Sequence, residues 1–172
     1  TLTERVAYSV DKTGYAFDPA RAGLAVDCIS KGIDAVHEMG VIHRDLTPNN
    51  VLCCGFGDSE IFKITDFGLA RPLGMNATFG GIVAGTVGYA PPEQAALDDR
   101  RIGTWSDVFT FAVDLYFMLT GRGYFPTRNA MDSLALIRSP ERTSILESAM
   151  LSPELRSQPA ACAGIDLALT LV

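Results

Sequence analysis

The chain has 172 residues, 48% of them apolar, which suits one domain or part of one and is enough to bury a real core. Fourteen basic residues against twenty acidic ones leave a formal charge of −6, which argues against a nucleic-acid or polyanion-binding surface. Any phosphate the protein handles has to be neutralised locally.

From the N-terminus, Leu2 to Val10 reads as a weak helix and Lys12-Thr13-Gly14 as a turn. Asp18-Pro19 is an N-cap followed by proline at the first helical position, and Ala22, Val26, Ile29, Ile33 and Val36 then recur every three or four residues until Gly40. That pattern predicts one long amphipathic helix over about 19–39, followed by a short buried strand at Val41-Ile42. Val51-Leu52-Cys53-Cys54 and Ile61-Phe62-Lys63-Ile64-Thr65 predict a hairpin turning around Gly55-Phe56-Gly57-Asp58. The 28 residues from Asp66 to Glu93 have little periodicity and many glycines, so a mobile segment is expected.

Pro91-Pro92-Glu93-Gln94 opens a short helix, and Asp98-Asp99-Arg100-Arg101 reads as a solvated charged turn. From about Ser106 to Thr120 a helix that is apolar on almost every face runs to Gly121. A helix hydrophobic all round is buried, so this one is expected to be the axis of the domain. Asp107 sits in its first turn, where the helix dipole favours a carboxylate. Gly123-Tyr124-Phe125-Pro126 is a turn, and Met131–Arg138 and about Pro159–Thr170 are further helices. The expected class is mainly α (α+β), a helical bundle around a buried central helix with short β-hairpins.

The uncharged run from Pro72 to Pro92 holds five glycines and three prolines and cannot be a spanning helix. No signal peptide is visible, and the opening Thr1 suggests a processed, truncated or partial product. Cys28, Cys53, Cys54 and Cys162 show no C-x-x-C spacing, so reduced thiols are expected and structural zinc is not. The expected location is cytoplasmic, with no membrane contact from this segment and no nucleic acid as partner; an anchor elsewhere in a longer protein stays open.

The chemistry is concentrated in His43-Arg44-Asp45-Leu46-Thr47-Pro48-Asn49-Asn50, which reads H-R-D-L-x-x-x-N, and in Asp66-Phe67-Gly68. The hairpin places Asn50 before one strand and Asp66 just after the other, so two oxygen ligands converge at one end, as Mg²⁺ requires. Gly85-Thr86-Val87-Gly88-Tyr89-Ala90-Pro91-Pro92-Glu93 follows, and then Ser106-Asp107-Val108-Phe109-Thr110-Phe111-Ala112-Val113. In this order and spacing the motifs resemble those of a Ser/Thr protein kinase of the bacterial kind, whose members usually read G-T-x-x-Y-x-A-P-E and S-D-V-x-S-F-G-V in the last two.

The resemblance implies an enzyme that transfers the γ-phosphoryl group of ATP to Ser/Thr hydroxyls of a protein substrate. It implies Asp45 as catalytic base and Asn50 and Asp66 as the Mg²⁺ ligands that bridge to the ATP phosphates. Leu52 is implied to floor the adenine pocket, although ordinary strand core fits the sequence equally well. By the same resemblance the Thr86 hydroxyl bonds near Asp45, His43 and Phe67 pack together, and Asp107 holds the catalytic-loop backbone, a plain helix cap being the alternative. Arg44 is implied to bind a phosphate placed on the loop after D-F-G; with Thr86 and Tyr89 otherwise engaged, Thr78 is the acceptor left in that segment.

The chain departs from the family in two ways. Thr47 stands where a lysine usually touches the transferring phosphate, which implies slower transfer. No G-x-G-x-x-G loop, V-A-I-K lysine or partner glutamate lies upstream, and the arginine that pairs with the glutamate of A-P-E in a late helix has no counterpart after Glu93. Residues 1–172 therefore resemble a kinase C-terminal lobe, a partial domain without the N-terminal lobe and the last helix, expected to be inactive alone. A pseudokinase or regulatory binding module is the alternative. A small-molecule phosphotransferase is disfavoured by the peptide-docking segment.

Overall fold

The structure is a computed structural model that describes residues 1–67, 71–72, 87–125 and 130–139. Helix α1 spans Leu2–Thr13, running past the expected end at Val10. Its start is fixed by a capping box, in which the Thr1 side chain accepts from the Glu4 N–H while Glu4 reaches back to Thr1. Its end is Gly14, at φ 78. The expected turn at Lys12-Thr13 is thus the last turn of the helix, with only Gly14 outside it.

Helix α2 spans Pro19–Glu38, with Asp18 accepting from the N–H groups of Ala20 and Arg21. It buries Ala22, Ala25, Ile29, Ile33 and Val36. Val26, expected on that face, is only half-buried, and the small Ala25 beside it takes the central position. Strand β1, Val41–Ile42, leads into the motif loop. Strands β2, Val51–Cys54, and β3, Ile61–Ile64, form the expected hairpin, in register from Val51 opposite Ile64 to Cys54 opposite Ile61. Gly55 opens the turn at φ 79, where a Cβ would lie 2.7 Å from the Ser59 carbonyl oxygen, so no other residue fits.

A fourth strand, β4 at Arg71–Pro72, pairs antiparallel with β1 inside the stretch read as irregular. Helix α3 is the single turn Pro92–Ala95, and α4 runs Thr104–Thr120, starting two residues before the expected Ser106. Helix α5 is Ala130–Arg138; the helix expected over 159–170 lies outside the described residues.

Two apolar clusters meet on α4. Leu115 and Met118 join Leu2, Val6, Ile29 and Ile33 from α1 and α2, together with Val51 and Phe62 of the hairpin. Phe109, Val113 and Tyr116 join Ala95, Tyr124 and Ile137. One helix supplies both, as expected of the domain axis. No helix among the described residues is long and apolar enough to cross a membrane. Cys28, Cys53 and Cys54 are free thiols, and burial pushes the Cys53 thiol up to about 11.

Candidate active site

The loop after β1 is held from below by α4. Asp107, 1% exposed, accepts from the backbone N–H of His43 through Oδ2 (2.9 Å) and from that of Arg44 through Oδ1 (2.9 Å). Its Oδ2 also lies 2.8 Å from His37 Nε2, at the end of α2. Asp107 is thus more than a helix cap: it carries the loop backbone, as the resemblance implies. From the other side, Gln94 Nε2 of α3 donates to the Arg44 carbonyl at 3.0 Å. Between these two grips Arg44 takes φ 69, the left-handed region that side-chain-bearing residues disfavour.

His43 is buried, and its Nδ1 accepts from the Asp45 N–H at 3.3 Å. Its Nε2 therefore carries the proton and donates to the Thr65 carbonyl at 3.1 Å, which makes this a neutral imidazole used as a spacer. Phe67 packs edge-on against it with ring centroids 4.8 Å apart, the packing pair expected of these two residues. Asn50 Nδ2 donates twice to Asp45, to its carbonyl at 2.7 Å and to its Oδ2 at 3.0 Å. The second of these hydrogen bonds orients the Asp45 carboxylate, and with Nδ2 engaged in both, the amide oxygen of Asn50 is turned away from it.

The Thr65 N–H donates to the Asn50 carbonyl at 2.9 Å, extending the β2–β3 ladder by one pair. Asn50 and Asp66 consequently leave the hairpin at the same end, as the strand spacing predicts. Asp66 itself stands at φ 59, a second left-handed, non-glycine position in the site. Leu52 is 42% exposed, so it is not strand core. Thr47, where a lysine usually stands, is buried and uncharged. Thr86, Thr78 and Gly68 lie outside the described residues.

An amide oxygen and one carboxylate at one end of a hairpin fit Mg²⁺, a hard ion that takes one or two protein oxygens and completes its shell with water and phosphate. Among the described residues no group of three or more His, Cys, Asp or Glu side chains is placed to hold a metal.

Several supports were not legible in the sequence. Gln94 grips the loop at Arg44 from 50 positions away, and His37 meets Asp107, which carries the loop, from 70 positions away; no local spacing announces such bonds. Glu93 accepts from Ser106 Oγ at 2.5 Å, and Thr110 Oγ1 lies 3.2 Å from the Tyr89 carbonyl, so α3 and the segment before it rest on α4. Burial pushes the Tyr89 phenol up, with the nearby Asp114 adding to the shift.

Residues 3–164 match the family model for the protein kinase domain. A probable serine/threonine-protein kinase of Thermomonospora curvata is 37% identical over 64% of this chain and 14% of its own length. A serine/threonine-protein kinase of Myxococcus xanthus is 37% identical over 60% of this chain and 13% of its own. One of Corynebacterium efficiens is 34% identical over 80% of this chain and 27% of its own. The chain thus spans about a quarter or less of the length of these relatives. With nearly its whole length matched and the H-R-D-L-x-x-x-N loop, hairpin and D-F-G aspartate brought to one end of the fold, this chain belongs to the protein kinase domain family.

Proposed function

We propose that residues 1–172 form the C-terminal, catalytic lobe of an ATP-dependent Ser/Thr protein kinase, working with an N-terminal lobe that these residues do not contain. The observation that carries the reading is the doubly bonded Asn50–Asp45 pair on a loop whose backbone is clamped by Asp107. An oriented carboxylate beside an oxygen-donor pair is what phosphoryl transfer asks of a protein, since positioning and charge neutralisation supply most of the catalysis.

In this reading Asp45 accepts the proton of a substrate Ser or Thr hydroxyl as its oxygen bonds to the γ-phosphorus. The bond from that phosphorus to the bridging oxygen breaks, and ADP leaves with the electron pair. Asn50 and Asp66 would hold Mg²⁺, which would supply neutralisation of the phosphate charge. Leu52, exposed on β2, offers an apolar surface for adenine. Thr86 is assigned to the hydrogen bond near Asp45, and Arg44 to binding a phosphate on Thr78. Protein substrates and a cytoplasmic site of action complete the proposal.

Thr47 supplies no charge to the moving phosphate. A charge-assisted bond is worth about 1.5–3 kcal/mol, so transfer is expected to be roughly 10- to 150-fold slower than with lysine. The alternative, a pseudokinase, draws on the same residue. Both readings are tested in the complete kinase with Asp45→Asn and Asp66→Asn. Each is expected to lower kcat by about 10²–10⁴. Asp45→Asn should spare nucleotide affinity, whereas Asp66→Asn should shift the Mg²⁺ titration at fixed ATP to higher concentration. Superimposable Mg²⁺ curves for wild type and Asp66→Asn reject the ligand assignment, and an inactive wild type with intact nucleotide binding selects the pseudokinase.

A further inference from the structure

We infer that Gln94 is a positioning residue for the transfer step: from helix α3 it fixes the peptide joining Arg44 to Asp45 and thereby the aim of the Asp45 carboxylate. The inference rests on Asp45 being the proton acceptor proposed above. Arg44 at φ 69 holds a conformation that its own side chain disfavours, so the surroundings must impose it. Asp107 holds the Arg44 N–H at 2.9 Å and Gln94 holds the Arg44 carbonyl at 3.0 Å. The peptide planes on either side of residue 44 are thus pinned by side chains from two different helices, and the second plane ends at the nitrogen of Asp45.

The amide of Gln94 has one orientation, because a flip would set its oxygen against the Arg44 carbonyl oxygen. In that orientation Oε1 is buried and has no hydrogen-bond partner among the described residues. A buried, unsatisfied acceptor works against folding, so stability alone does not account for a glutamine here; the donor end does. Nor is Gln94 needed to keep α3 in place. Glu93 bonds to Ser106, and Arg138 Nε donates to the Ala95 carbonyl at 3.0 Å. Because α3 follows directly on the segment assigned to peptide docking, the same turn of helix links substrate docking to the aim of the base.

The test uses the complete kinase with Gln94→Leu, Gln94→Glu and Arg138→Met. Gln94→Leu is expected to lower kcat about tenfold with KM for ATP within about twofold, and to speed hydrogen exchange of the amides of residues 43–46. Gln94→Glu sets a carboxylate against a carbonyl at high pH. Its activity relative to wild type is expected to rise as pH falls, since the carboxylic acid regains an O–H donor. Arg138→Met, which removes an anchor of α3 without touching the loop, should keep kcat within about twofold. Wild-type kcat and exchange in Gln94→Leu overturn the inference, as does a loss in Arg138→Met equal to that in Gln94→Leu. If the wild type itself transfers no phosphate, the phosphotransfer reading fails, and unchanged exchange in Gln94→Leu still decides against the clamp.

Discussion

Two aspartates on α4 show how environment assigns a role to one residue type. Asp107 and Asp114 are both about fully buried, at 1% and 0% exposure. Asp107 is surrounded by donors, two backbone N–H groups and His37, and carries the loop. Neither oxygen of Asp114 has a hydrogen-bond partner among the described residues, and burial raises its carboxyl well above the ordinary 3.8. The fold therefore favours its protonated form, which fixes the sign of the linkage. Stability from this site is fully present below about pH 4, where the unfolded chain also holds the proton, and is lost as pH rises toward the raised native value. Within that window the slope is about 1.4 kcal/mol per pH unit for one proton. Asp114→Val is expected to flatten this part of the profile and, at neutral pH, to raise stability by about 1–3 kcal/mol. Urea titrations at a series of pH values measure both, and a wild-type stability that rises between pH 4 and pH 7 while Asp114→Val stays flat contradicts the account.

At the scale of elements, one buried carboxylate fastens three of them. Glu60, just before β3 and 1% exposed at its side chain, meets Arg21 of α2 at 2.7 and 2.8 Å and Arg5 of α1 at 3.1 Å. Arg5 also donates to the carbonyls of Gly55 and Cys53 in the hairpin. Glu60→Ala leaves two partly buried guanidiniums facing each other, and a loss of about 3–5 kcal/mol is expected. Lys31→Ala, which breaks the solvent-exposed pair with Asp27 on α2, should leave the urea midpoint in place. A Glu60→Ala midpoint as little moved as that of Lys31→Ala would remove Glu60 from this role. The triad also marks the limit of what the sequence makes legible. Helices α2 and α4 could be read because a cap and a repeating apolar face are local signals, and the hairpin because its strands are a short turn apart. Arg21 and Glu60 lie 39 positions apart, and a charge in a sequence does not name its partner. The β1–β4 pairing and the grip of Gln94 on Arg44 escaped for the same reason, whereas Asn50 and Asp66 were legible because the hairpin ladder itself carries them together.

At the scale of the whole molecule, the distribution of positive charge determines what these residues can do alone. Under the proposed function, ATP would bring a concentrated negative charge to a chain whose net charge is −6, and kinases meet it with a glycine-rich loop and a lysine as well as with Mg²⁺. Neither motif occurs in residues 1–172, and the three lysines do not substitute. Lys12 and Lys31 pair with Asp11 and Asp27 on exposed helix faces, and Lys63 stands on β3 opposite Leu52. Two apolar side chains near the proposed site, Leu52 at 42% and Phe67 at 45% exposure, are open to solvent as well. Residues 1–172 alone are therefore expected to show no measurable transfer of ³²P from labelled ATP to a generic basic protein, at any Mg²⁺ concentration. Under the two-lobe proposal, a complete kinase should transfer, and substituting the glycine-rich loop or lysine that the proposal places on an N-terminal lobe should abolish that activity even with Asp45, Asn50 and Asp66 intact. Turnover by residues 1–172 comparable to that of the complete kinase would mean that the fold described here grips ATP unaided, and the division of labour between two lobes would have to be given up.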